Sequence, residues 1–204
     1  EFIESVEAYD VATHEPVRFA HDDCAFGYRD SVFKRHPDHW LITAITLRLP
    51  RAWTPRIGYA GLAGELERMG VTKPAPIHVA EAVVSLRTRK LPNPAVIANA
   101  GSFFKNPIVP AAQAEALRAE HPRLPAWPVS TGSSKLSSAW LIETCGFKGL
   151  REGDAGISSR HALVLINHGR ASGAQLWALA RQVQDGVNAR FGIALEPEPR
   201  VIRA

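Results

Sequence analysis

Between Ser172 and Gly192 the sequence spells one long amphipathic helix. Leu176, Leu179, Val183, Val187 and Phe191 recur at spacings of three and four, which sets them on a single stripe. Arg181, Gln182 and Arg190 fall on the outer face and read as a solvated surface. Ser172 offers an N-cap and Gly192 a C-terminal stop. A stripe of this length must be covered by another apolar layer. Residues 162–166 (ALVLI), just ahead of it, read as a buried strand.

The rest of the chain divides by pattern. The first fifty residues read as β. Ile3, Val6 and Ala8 alternate with polar neighbours, Thr13-His14-Glu15 makes a turn, and Val17-Arg18-Phe19 alternates again. Residues 40–49 (WLITAITLRL) are rich in β-branched types and stop at Pro50. Prolines and glycines crowd 50–76, which predicts a loop with one short helix at 62–69. Helices are predicted at 77–89, ended by Leu91-Pro92-Asn93-Pro94, at 111–120 between Pro110 and Pro122, and at 137–144 before Gly146. A last strand is predicted over 193–202, bent or broken by Pro197 and Pro199. A β-rich start followed by mixed elements predicts an α+β fold, with a boundary near 72–78.

Composition narrows the function classes. Of 204 residues, 46% are hydrophobic and 22% charged, which excludes a disordered or fibrous chain. A net charge of +4 suits anionic ligands, but the basic residues are too spread out for a nucleic-acid stripe. Cys24 and Cys145 are the only cysteines. They fit a reducing compartment, and the eight histidines show no metal spacing, so no metal is expected. His14/His21 and His161/His168 read as surface or loop residues. No apolar run is long enough to span a membrane.

Three segments carry residue types suited to chemistry. Residues 99–107 (NAGSFFKNP) set Ser102, Lys105 and Asn106 around a flexible Ala-Gly pair that lets backbone approach a ligand. The same residues also suit a tight turn with a buried Phe pair. Residues 26–30 (FGYRD) join Tyr28 to Arg29, a guanidinium fork for a carboxylate, although Asp30 could equally hold Arg29 in a surface ion pair. Residues 195–200 (LEPEPR) place Glu196 and Glu198 on one face of an extended strand, as a poised carboxylate or as a solvated edge. Tyr59, Lys90 and Lys148 are donors in Pro- and Gly-flanked loops.

Six segments in order, FGYRDSVFK, LRTRKLPNP, NAGSFFKNP, SSAWLIETCGFKG, HALVLINHG and LEPEPRVI, resemble the UDP-N-acetylenolpyruvoylglucosamine reductase family. The Tyr59 region resembles its longer, type I branch. The resemblance implies a cytoplasmic enzyme of peptidoglycan synthesis that uses FAD and NADPH. Its substrate is UDP-N-acetylglucosamine enolpyruvate and its product UDP-N-acetylmuramate. By motif match, Arg29 would stabilise the developing enolate, Ser102 would deliver the proton and Glu198 would assist. Tyr59, Lys90, Asn106 and Lys148 would hold the UDP diphosphate and its surroundings, with Tyr28 beside Arg29. The expected domains are the later part of an FAD-binding domain (1–75), a substrate-binding domain (76–193) and a returning strand (194–204). The glycine-rich loops for the FAD pyrophosphate are not read in this sequence, so its flavin-binding residues stay unassigned. The alternative expectation is a catalytically incomplete piece that only binds the UDP-sugar.

Overall fold

The computed structural model describes residues 2–59 and 61–202. The architecture is α+β, in two compact units, Glu1–Pro55 and Arg56–Ala204. The expected boundary near 72–78 falls inside the second unit. The reason is physical: the two helices that flank it bury Leu62, Leu66, Ala82 and Leu86 against each other.

In the first unit, β1 (Ile3–Asp10) is the centre of a three-stranded antiparallel sheet. It pairs on one side with β2 (Glu15–Ala20), after the expected turn, and on the other with β3 (Trp40–Leu47). Asp10 fixes the turn, its carboxylate accepting from Ala12 N–H at 2.8 Å and Thr13 N–H at 3.1 Å. Val6 and Ala8 are buried, and Phe19 stacks edge-on between Phe33 and Trp40 at 5.0 Å each. A single-turn helix α1 (Val32–Arg35) lies between β2 and β3. Leu41, Ile42, Ile45 and Leu47 of β3 are exposed within this unit.

In the second unit, α2 (Leu62–Arg68) and α3 (Pro76–Lys90) match the predicted helices, α3 starting on its proline. Next come β4 (Ala98–Ser102), β5 (Ile108–Pro110), α4 (Ala111–Glu120), β6 (Ala126–Ser130) and β7 (Ser133–Leu136). Helix α5 (Ser138–Thr144) is capped by Ser137, whose hydroxyl accepts from Trp140 N–H at 3.2 Å. It is followed by β8 (Arg151–Glu152), β9 (Ala155–Ile157), β10 (Val164–Asn167) and α6 (Gly173–Phe191). The sheets run β4-β10-β9-β8 and β5-β7-β6, and among the described residues every strand pairing is antiparallel.

Helix α6 is the predicted one. Ser172 and Gln175 cap it reciprocally, with Ser172 N–H donating to Gln175 Oε1 at 2.8 Å. Gly192 ends it at φ 63°. Leu179, Val183 and Val187 are fully buried beside Leu136, Leu141, Ile142 and Leu165. Each such side chain contributes about 1.5–3 kcal/mol relative to exposure. The predicted final strand is not formed. Residues 193–202 make only an isolated bridge between Pro197 and Phe104, because Pro197 and Pro199 have no N–H to carry a ladder. Arg203 and Ala204, the end of the expected returning segment 194–204, lie outside the described residues. Among the described residues no helix is long and apolar enough to cross a membrane.

Candidate active site

In the second unit the NAGSFFKNP segment is the edge strand β4 and the bend that follows it. Asn99 folds back on its own backbone, its Oδ1 accepting from Gly101 N–H at 3.1 Å. Gly101 takes φ 70°, a left-handed value that glycine adopts without strain. Ser102 follows, paired in register with Val164 of β10. Phe103 and Phe104 turn into the core, ring centroids 5.2 Å apart. The tight turn and buried pair allowed by the sequence are therefore real, and Ser102 itself stays exposed. It lines a cavity of about 460 Å³ with Asn99, Leu91 and Pro92, and with Arg87 and Thr88 from the last turns of α3. Arg87 was not among the sequence candidates, because a basic residue near a helix C-terminus reads as ordinary end-charge.

The LEPEPR segment runs antiparallel to the residues after Ser102. Lys105 N–H donates to Glu196 C=O at 2.9 Å, and Glu198 N–H donates to Phe103 C=O at 2.8 Å. Glu198 is thus tied, half-buried, to the residue next to Ser102. The Glu196 side chain forms an ion pair with Lys105 Nζ. The two carboxylates that alternation alone left equivalent are set apart by their neighbours.

Asn106 has a structural duty. Its Oδ1 accepts from Ser138 N–H at 3.0 Å, pinning the start of α5. Lys148, on the turn after α5, is half-buried and paired to Glu143 at 2.9 Å. Lys90 ends α3, and its ammonium lies 5.9 Å from the centroid of the exposed Tyr59 ring.

His161 feels the charge of both lysines, although its spacing in the sequence gave no sign of it. It sits half-buried in the β9–β10 turn, where its C=O accepts from Val164 N–H at 3.0 Å and its Nδ1 from Leu163 N–H at 3.3 Å. Burial first, then the positive charges of Lys90 and Lys148, push the imidazole below the ordinary histidine range, against an opposing pull from Glu143. His168 is exposed, as expected of a loop residue.

In the first unit FGYRD is a tight turn. Gly27 N–H donates to Asp30 C=O at 2.9 Å and Asp30 N–H returns to Gly27 C=O at 3.3 Å. Arg29 takes φ 56°, a left-handed conformation unusual for a side-chain-bearing residue. Tyr28 and Arg29 are exposed at the tip. The Asp30 carboxylate accepts from Arg35 Nε at 2.7 Å.

Known proteins bear on this arrangement. The family model described as UDP-N-acetylenolpyruvoylglucosamine reductase, C-terminal domain, matches residues 93–202, just over half of the chain. Proteins named UDP-N-acetylenolpyruvoylglucosamine reductase from Xylella fastidiosa (strain 9a5c) and Xanthomonas campestris pv. campestris (strain 8004) are 54% and 56% identical over 205 aligned residues. Those alignments cover all of this chain but 58% and 59% of the relatives, so the chain spans little more than half their length. A crystal structure of the reductase so named from Thermus caldophilus has the same fold, with a TM-score of 0.57 and 24% identity over 97% of this chain and 52% of that one. By the family model and these relatives, the chain belongs to the UDP-N-acetylenolpyruvoylglucosamine reductase family and carries its C-terminal domain.

Proposed function

We propose that the complete protein reduces the enolpyruvyl group of UDP-N-acetylglucosamine enolpyruvate to give UDP-N-acetylmuramate, in the cytoplasm, for peptidoglycan synthesis. FAD and NADPH are its proposed cofactors. Residues 1–55 hold a single glycine, Gly27, so glycine-rich loops for the flavin pyrophosphate are not found among them. The residues on the nucleotide-sugar side are complete enough to be given roles.

The observation that carries the reading is the hydrogen bond from Glu198 N–H to Phe103 C=O at 2.8 Å. It ties the backbone of Glu198 to the residue that follows Ser102, an exposed serine on a cavity wall. Reduction of an alkene next to a carboxylate builds charge on the adjacent carbon, which a positioned donor can quench. Ser102 is the proton donor and Glu198 assists it. Arg29 offsets the charge near the substrate carboxylate, with Tyr28 beside it. Lys90, Lys148, Tyr59 and the Asn106 amide donate to the diphosphate.

Stopped-flow absorbance of the flavin tests this. Ser102→Ala should leave reduction by NADPH near the wild-type rate and slow reoxidation by the enolpyruvyl substrate about 10²–10⁴-fold. Equal loss in both half-reactions would remove Ser102 from the proton-donor role.

A narrower reading holds for the 204 residues taken alone, favoured by the lone glycine of residues 1–55. The piece binds the UDP-sugar without turnover. An absorbance spectrum with no flavin band, together with UDP-sugar binding, would support it.

A further inference from the structure

Tyr59 and Lys90 are joined by a closed route through α2 and α3. Leu62 N–H, at the start of α2, donates to Tyr59 C=O at 3.0 Å, so the tyrosine hangs from the first turn of that helix. Glu65, one turn on, makes the link to α3. Its side chain is 2% exposed and lies in the fork of Arg89, which donates from Nη1 to Oε1 at 3.0 Å and from Nη2 to Oε2. Arg89 Nη1 also donates to Ser85 Oγ at 2.9 Å, which fixes the guanidinium along its own helix. The next residue is Lys90, the last of α3, whose ammonium lies 5.9 Å from the centroid of the Tyr59 ring.

Apolar packing alone does not fix this arrangement. Leu62, Leu66, Ala82 and Leu86 bury surface between the two helices, but such contact is non-directional and tolerates sliding. A planar fork on a carboxylate does not. The ion pair also sits in the last turn of α3, where the final carbonyls lack helical partners and fraying starts. The ammonium–ring contact is weak at a ring 65% exposed, so it follows the helices rather than holding them. We infer that Glu65 and Arg89 are positioning residues for the nucleotide sugar, their cross-helix ion pair setting Tyr59 and Lys90 side by side before the diphosphate arrives. This rests on the diphosphate roles proposed above for Tyr59 and Lys90. Two donors held in place beforehand need less ordering when the ligand binds. Arg68, on α2, is the internal comparison. It donates to the same carboxylate, from Nη2 to Oε1 at 2.6 Å, and reaches α3 through a long contact with Ser85 Oγ at 3.4 Å.

Isothermal titration of the full chain with UDP-N-acetylglucosamine tests this, at a temperature where circular dichroism shows every variant folded. Arg89→Met and Arg68→Met each take one cation from a buried carboxylate, so both should lower the melting temperature. Arg89→Met should weaken binding about tenfold, and Arg68→Met less than about twofold. Arg89→Lys keeps one charged donor across the helix pair and should recover part of the affinity. In a Tyr59→Phe, Lys90→Met background nothing is left to position, and Arg89→Met should cost no further affinity. In the complete enzyme Arg89→Met should raise KM for the enolpyruvyl substrate and leave kcat within about twofold. Wild-type affinity in Arg89→Met, equal weakening by Arg68→Met, or a full effect of Arg89→Met in the doubly changed background overturns the positioning role. A fall in kcat at unchanged KM does the same. No binding by wild type, or unchanged affinity in the Tyr59→Phe, Lys90→Met chain, overturns the nucleotide-sugar reading itself.

Discussion

A Cβ built on Gly186 would lie 2.5 Å from Cζ of Phe147. The ring of Phe147 fills the space that glycine leaves on α6, and Lys148 follows it directly in the chain. The groove in the helix thus sets where the proposed diphosphate lysine emerges.

Gly186→Ala should therefore act on stability and ligand affinity together. Alanine favours a helix by about 1 kcal/mol over glycine, but forcing a ring out of a packed groove costs about 1–3 kcal/mol. Sterics win, and the melting temperature should fall by a few degrees in differential scanning calorimetry. UDP-sugar affinity should weaken in parallel. Phe147→Leu in the same chain should restore part of both losses, and additive losses would show that the two residues are not coupled.

Glu65 should behave as a buried counter-ion. Its carboxylate is almost fully enclosed and accepts from Arg89 Nη1 at 3.0 Å and Arg68 Nη2 at 2.6 Å. Arg89 first, then Arg68 and Ser85, hold it well below the usual carboxylate range. The lowered value means its contribution is complete above the ordinary glutamate range and is lost as pH falls toward the native value. Glu65→Gln should lower the melting temperature by several degrees at neutral pH. The gap from wild type should narrow in acid, and a gap independent of pH would contradict the assignment.

Arg29 should show activity traded against backbone strain. It holds φ 56°, which glycine tolerates and side-chain-bearing residues resist by about 1 kcal/mol or more. Arg29→Gly should leave thermal stability equal or slightly higher while removing most turnover. Arg29→Lys keeps the charge but not the planar fork, and should recover only a small part of kcat. Full turnover in Arg29→Lys would reduce the role to charge alone.

Glu198→Gln should slow substrate-driven flavin reoxidation about 10²-fold with little change in UDP-sugar affinity. Glu196→Gln, which breaks an ion pair with Lys105, should leave that rate within about threefold of wild type. The reverse ranking would assign the role to Glu196.

The helices were legible because their signals are local. The stripe and caps of α6, the prolines bounding α4 and Gly146 after α5 lie within a few residues of the helix ends. The strands β5 to β9 were not. They are two to five residues long, and segments such as SSKL gain strand geometry from partners rather than from their own pattern. The last segment misled for the opposite reason. Its alternation suits a strand, but two prolines limit it to one bridge. The candidate site residues were named from motifs alone. The environment of His161 could not be read from them, because its cations arrive from the end of α3 and the turn after α5.

The join between Phe103 and Glu198 has a further consequence. It links distant parts of the sequence through an isolated bridge and a few flanking hydrogen bonds, outside any extended ladder. Such a contact has little cooperative support of its own, so it opens before the helices and sheets around it. Warming or mild urea should silence the proposed reduction while circular dichroism still reports a folded chain, and cooling should bring it back without a refolding lag.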